Sequence, residues 1–214
     1  MKFKYIFIFV FPLLLSSCFG INTEIVLNKN GSGSVTMEYH ISKLIDSLGK
    51  LDGNERWNTI PVGKSDFERT IDRLPDIKML LFSSREDEKN VKINTKLEFS
   101  SIKGLLAFLD ASGLHSSFSG DSRSGNLIFT LAEGSAAESS GVNQLVSEIS
   151  RGYSVKMSFT FPSEGKLVLS DNSGKTLTGI PESEIIPVGK KVSFSFPLGE
   201  VLSSGNGMKA EFQW

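Results

Sequence analysis

Hydrophobic residues recur along this chain at two spacings. Alternation with period two runs through residues 34–41, where Val35, Met37, Tyr39 and Ile41 share one face and Thr36, Glu38 and His40 the other. Val91, Ile93, Thr95, Leu97 and Phe99 alternate in the same way with Lys92, Asn94, Lys96 and Glu98, and Val155, Met157, Phe159 and Phe161 with Lys156, Ser158 and Thr160. This is the pattern of strands with one face buried and one wet. Residues 23–29 read as the partner of 34–41 across an Asn30-Gly31 turn, which supplies the positive φ that tight hairpins need. Residues 76–84 pair with 90–99 across the charged run Arg85-Glu86-Asp87-Glu88-Lys89. Shorter strands are expected at 126–131, 166–170, 175–178 and 191–196, with 208–214 as a further edge strand.

Helical spacing appears between them: Ile41, Leu44, Ile45, Leu48 and Leu51; then Phe67, Ile71 and Leu74, opened by the capping-box pattern Ser65-Asp66-Phe67-Glu68 and stopped by Pro75. Ser100 or Ser101 caps a third helix with Ile102, Leu105, Leu106 and Leu109 on its stripe, and Val142, Leu145, Val146 and Ile149 mark a fourth. The pattern predicts an α+β fold: a mostly antiparallel sheet with a few short helices packed on one face, since one-sided strands need a cover. Residues 23–214 are expected to form a single unit, weakest in the small polar stretch 133–141.

The N-terminus obeys neither spacing. Lys2 and Lys4 precede an uncharged apolar run from Ile6 to Leu15, which ends in Leu15-Ser16-Ser17-Cys18. The run is short for a membrane span, which needs about 20 apolar residues, and Pro12 interrupts it. It reads as an export signal, residues 1–17, ending in a lipobox: small residues admit the peptidase at the Ser17–Cys18 bond, and the Cys18 thiol takes the lipid. The alternatives are an ordinary secretory signal in which Cys18 is incidental, and an uncleaved anchor. Under the lipobox reading, residues 18–22 are a lipid tether, under ~20 Å long at ~3.5 Å per residue, so the domain sits close to its membrane. The expected location is the cell envelope, outside the cytoplasm of a bacterium.

Composition removes other classes. The chain has 214 residues with 23 basic and 24 acidic side chains, two His and one Cys. One Cys cannot form an internal disulfide or a multi-cysteine metal centre. Near-neutral charge gives no reason to expect nucleic acid, and loss of Lys2 and Lys4 leaves a mildly acidic mature chain. No metal or cofactor is expected. Glu86, Asp87 and Glu88 are contiguous, whereas a calcium loop staggers its oxygens around a Gly turn, so they read as a solvated hairpin tip. No G-x-S-x-G elbow is present, and His40 and His115 sit in no catalytic motif. Of sixteen Phe, only Phe3, Phe7, Phe9 and Phe11 leave with the signal. The rest read as core, or as the lining of an apolar ligand cavity. Trp57, in a polar loop beside Arg56 and Asn58, is a candidate interface anchor, or else a cap on the core.

The lipobox, the strand directly after it, the Asn30-Gly31-Ser32-Gly33 hairpin and Ser34-Val35-Thr36-Met37-Glu38-Tyr39 leading into a short helix together resemble the start of bacterial lipoproteins of the LppM type. The resemblance implies an α+β envelope domain with an apolar binding surface, and carries over no catalytic residue. No apolar C-terminal span is seen in this sequence, so attachment is expected to rest on the lipid at Cys18. The expected function is a non-enzymatic binding or scaffold module, its partner an envelope protein. A carrier of lipid or another apolar ligand is the alternative, and a hydrolase built from scattered polar residues the third reading.

Overall fold

The computed structural model describes residues 19–42, 63–88, 90–110, 112–134, 153–178, 180, 183–202 and 204–214. Ten strands and three helices lie among them: β1 (Phe19–Leu27), β2 (Gly33–Ser42), α1 (Lys64–Ile71), β3 (Ile77–Glu86), β4 (Asn90–Phe99), α2 (Ile102–Leu109), β5 (Ser116–Gly120), β6 (Gly125–Ala132), β7 (Tyr153–Ser170), β8 (Glu184–Ile186), β9 (Val188–Pro197), α3 (Leu198–Leu202) and β10 (Met208–Gln213). All ten strands belong to one sheet, ordered β3-β4-β2-β1-β7-β10-β6-β5, with β9 along the other side of β7 and β8 beyond it. Every strand pairing is antiparallel except β1 with β7, where Phe19 lies beside Tyr153 and Val26 beside Thr160. The fold is α+β and mostly sheet.

Strand β7 holds the sheet together. Its first half pairs with β1 and β9 (Ser154 with Pro197, Thr160 with Lys191), and its last five residues pair with β10 (Lys166 with Gln213, Ser170 with Lys209). Sequence reading expects two strands here, broken at Pro162-Ser163-Glu164-Gly165. The chain instead runs straight through. Proline has no N–H to give a ladder, and it falls where the register with β9 breaks, between Thr160 and Gly165. Gly165 is required because the Phe161 ring lies over it and a Cβ would collide with that ring.

One face of the sheet forms the interior. Ile25, Leu27, Val35, Leu97, Phe99, Leu127, Phe159, Phe161, Phe194, Phe196, Ala210 and Phe212 are buried in one cluster, with Ile102 and Leu105 of α2 and Val201 of α3. A smaller cluster joins Phe67 of α1 to Tyr39, Val91 and Ile93. The expected helical layer over one face is not a clear layer: α1 packs on β3, α2 on β3 and β4, and α3 on β6, β7 and β9. Most of the buried cluster comes from the strands themselves, with a few residues from α2 and α3.

Other differences have local causes. The capping box does not cap: α1 starts at Lys64, so Ser65 lies inside it, and the Phe67 N–H donates to the Gly63 carbonyl. Ser101 does cap α2, its hydroxyl accepting from the Gly104 N–H at 3.0 Å. In β3 a register shift between Met79 and Leu81 inverts the alternation, leaving Leu80 and Leu81 exposed and turning Phe82 inward. Residues 175–178 make only an isolated bridge, Thr176 with Ser170. The last strand, β10, is no edge: it lies between β7 and β6 with Ala210 and Phe212 fully buried. Strand β1 begins at Phe19, so residues 19–22, expected as tether, are strand. The predicted helix at 142–149, the one following Ile41 beyond Ser42, and all but Glu133 and Gly134 of the 133–141 loop lie outside the described residues.

Candidate functional site

Ser17, Cys18 and Trp57 lie outside the described residues, as does the signal at 1–17. What the structure adds is a surface groove of about 560 Å³, largely open to solvent, between α2 and β5. Lys103, Leu106 and Ala107 line it from α2, and Ser116, Ser117 and Phe118 from β5, with Asp110, Ser112 and Gly113 in the turn between. Leu106 was expected on the buried stripe of its helix. It is half-buried and contributes apolar lining to the groove. Leu114 projects from the same turn, 81% exposed.

Asp110 builds this turn. One carboxylate oxygen accepts from the Ser112 hydroxyl at 2.6 Å and the Gly113 N–H at 3.0 Å; the other accepts from the His115 N–H at 2.8 Å and the Ser116 hydroxyl at 2.9 Å. Burial pushes its pKa up, but the two hydroxyls and the backbone N–H groups of His115 and Ser116 outweigh that and hold it far below the ordinary carboxylate range. A carboxylate stabilised as an anion and accepting four bonds is a poor proton acceptor, so Asp110 positions the loop. Asp171 does similar work in its turn, accepting from the Ser173 N–H and hydroxyl and the Lys175 N–H, and Asp76 accepts from the hydroxyls of Ser100 and Ser101.

The two histidines are not brought together. His40 is half-buried on β2, opposite Lys92; burial and then the Lys92 charge lower its pKa, with Asp87 and Glu38 pulling the other way. It was expected to be solvated. His115 Nδ1 lies 3.4 Å from Glu133 Oε1, on side chains 44% and 75% exposed, where an ion pair contributes little. The adjacent Ser116 hydroxyl is committed to Asp110 and not to His115, so the Ser-His-acid relay is not assembled there. At the β3–β4 turn, Asp87 accepts from the Asn90 N–H at 2.8 Å and pairs with Lys92 at 3.4 Å. Among the described residues no cluster of three His, Cys, Asp or Glu is arranged to hold a metal ion.

The aromatic residues resolve toward core. Phe67, Phe99, Phe129, Phe159, Phe161, Phe194, Phe196 and Phe212 are all buried. Phe159 and Phe161 stack at 4.6 Å, Phe161 stacks on Trp214 at 5.0 Å, and Trp214 on Phe118 at 5.9 Å, which links the interior to the groove wall.

Comparison with solved structures returns the NMR structure of the folded domain of the Mycobacterium tuberculosis LppM protein. It is 13% identical, covers 92% of this chain and 90% of that one, and has a TM-score of 0.39. It is the kind of protein that the N-terminal pattern resembles. At that identity and TM-score the likeness carries no conclusion about activity. No protein-family model matches the chain, and no curated protein matches it.

Proposed function

We propose that the protein is a lipid-anchored envelope module that binds or scaffolds a partner protein and catalyses no reaction. One observation carries the reading: the sole cysteine of the chain stands at the lipobox position, directly before the first residue of β1. Two or three acyl chains on Cys18 would hold the domain almost permanently, at ~0.8 kcal/mol per buried CH₂. No helix among the described residues is long and apolar enough to cross a membrane. Intact-mass measurement of protein extracted from bacterial membranes should show a chain beginning at Cys18 and carrying acyl groups. Cys18→Ser should move it to the soluble fraction. An unmodified, soluble wild-type protein would overturn the reading.

A second reading is favoured by the groove. Its Leu106, Ala107 and Phe118 floor with Lys103 beside it suits a small apolar or amphipathic ligand. Native mass spectrometry of protein purified from membranes tests it, since such a ligand would appear as a bound species that Phe118→Asp removes.

A further inference from the structure

We infer that the domain stands end-on to the bilayer, with the β3–β4 turn at its membrane edge and the β5–β6 turn directed outward. The inference rests on acylation of Cys18. The leash has no length, because β1 starts one residue later, at Phe19. Strand register then fixes what shares that end. Phe19 lies beside Tyr153, and Ser154 beside Pro197. Counting two residues beyond the Ile21–Tyr39 pair places Phe19 level with Ile41, which pairs with Val91, which pairs with Glu86. The starts of β1, β4 and β7 and the ends of β2, β3 and β9 therefore form one rim. Three strand spacings of about 4.8 Å separate β3 from β1, so the β3–β4 turn lies ~15 Å sideways from the anchor at the same height.

The opposite end is also fixed. Eight steps along β1 at ~3.3 Å carry the chain about 26 Å from the rim to Leu27. There the β1–β2 turn meets the β5–β6 turn, the Ser122 hydroxyl donating to the Lys29 carbonyl at 2.8 Å. Strands β10, β6 and β5, with the groove wall, hang on the half of β7 remote from Tyr153.

The rim has a chemical character. Arg85, Glu86, Asp87 and Glu88 are exposed there and Lys92 pairs with Asp87, so the rim is highly charged but of mixed sign. The rim is the face that attachment turns to lipid.

Because Cys18 is the only native cysteine and the lipid occupies it, Glu88→Cys and Arg123→Cys each give a single labelling site, both on exposed turn residues. The acylated full-length protein is placed in phosphatidylcholine vesicles containing a headgroup spin-labelled lipid that quenches fluorescence at short range. Label at residue 88 should be quenched several-fold more than label at residue 123. Equal quenching, or the reverse order, in a protein shown by mass to be acylated would overturn the orientation alone. An unacylated Cys18 would overturn the proposed function and the orientation with it. Inserting twelve Gly/Ser residues after Cys18, with a reach of ~20 Å, should abolish the difference; its persistence would overturn attachment as the cause.

Discussion

Phe212 is the most decisive residue to remove. It is fully buried on β10, its ring centroid 5.4 Å from Phe159, 6.2 Å from Phe129 and 6.5 Å from Phe194, so it touches β6, β7 and β9 at once. Were β10 an edge strand, as its sequence suggests, truncation would relax into solvent and cost little. In a central strand the cavity has walls on both sides, and Phe212→Ala should cost about 3–5 kcal/mol. With a urea slope of about 1–3 kcal/mol/M for a small protein, the midpoint should fall by roughly 2 M. Urea unfolding followed by far-UV circular dichroism measures it, with Leu114→Ala as control, because that side chain is 81% exposed and should stay within about 0.5 kcal/mol of wild type. A loss under about 1 kcal/mol at Phe212, with an unchanged slope, would refute the central placement of β10.

Four further outcomes are expected. Gly104→Ala, which in an ordinary helix gains up to about 1 kcal/mol, should here lose stability, because a Cβ at that position runs into the Asp76 side chain; thermal melts give the sign. Ser101→Ala removes the α2 cap and one donor to Asp76 and should cost about 1–2 kcal/mol in the same assay. Asp110→Asn should cost about 1–3 kcal/mol near pH 7, where the folded state holds the carboxylate charged and fully bonded. Because the folded pKa lies below the ordinary 3.8, that contribution is full above about pH 5 and lost as pH falls from ~4 through the folded value, so the gap between variant and wild type should close in acid.

How far the sequence reached is clearest strand by strand. Alternation in β2 and β4 reads correctly because the apolar face of each is the more buried one, so the side chains record the burial directly; in the first half of β7 it places the apolar residues correctly although Ser158 on the opposite face is buried as well. Strand β5 is illegible for the opposite reason. Only Phe118 among Ser116–Gly120 is apolar, and the segment is a strand because β6 offers it a ladder. Edge and centre are confused at β10 by the same logic. Alternation reports which face is buried and says nothing of how many neighbours a strand has; those neighbours, β6 and β7, are distant in sequence. Pro162 and Gly165 look like turn residues and are strand residues, because one sits where a ladder lapses and the other under a ring.

The groove was illegible because its parts carry no motif. Leu106 belongs to a helical stripe that reads as core, Phe118 stands alone among serines, and Asp110 has no periodic reason to be noticed. The aspartates that matter most to this fold are anchors: Asp76, Asp110 and Asp171 each gather neighbouring hydroxyl or N–H donors, in positions where an exposed carboxylate would otherwise be chemically idle or available for catalysis. Satisfying them internally makes rigid turns and removes them from acid–base work. A sheet that buries its Phe residues within itself and turns braced by bonded carboxylates are compatible with the proposed anchored module, in which Cys18 would stand one residue before the first strand.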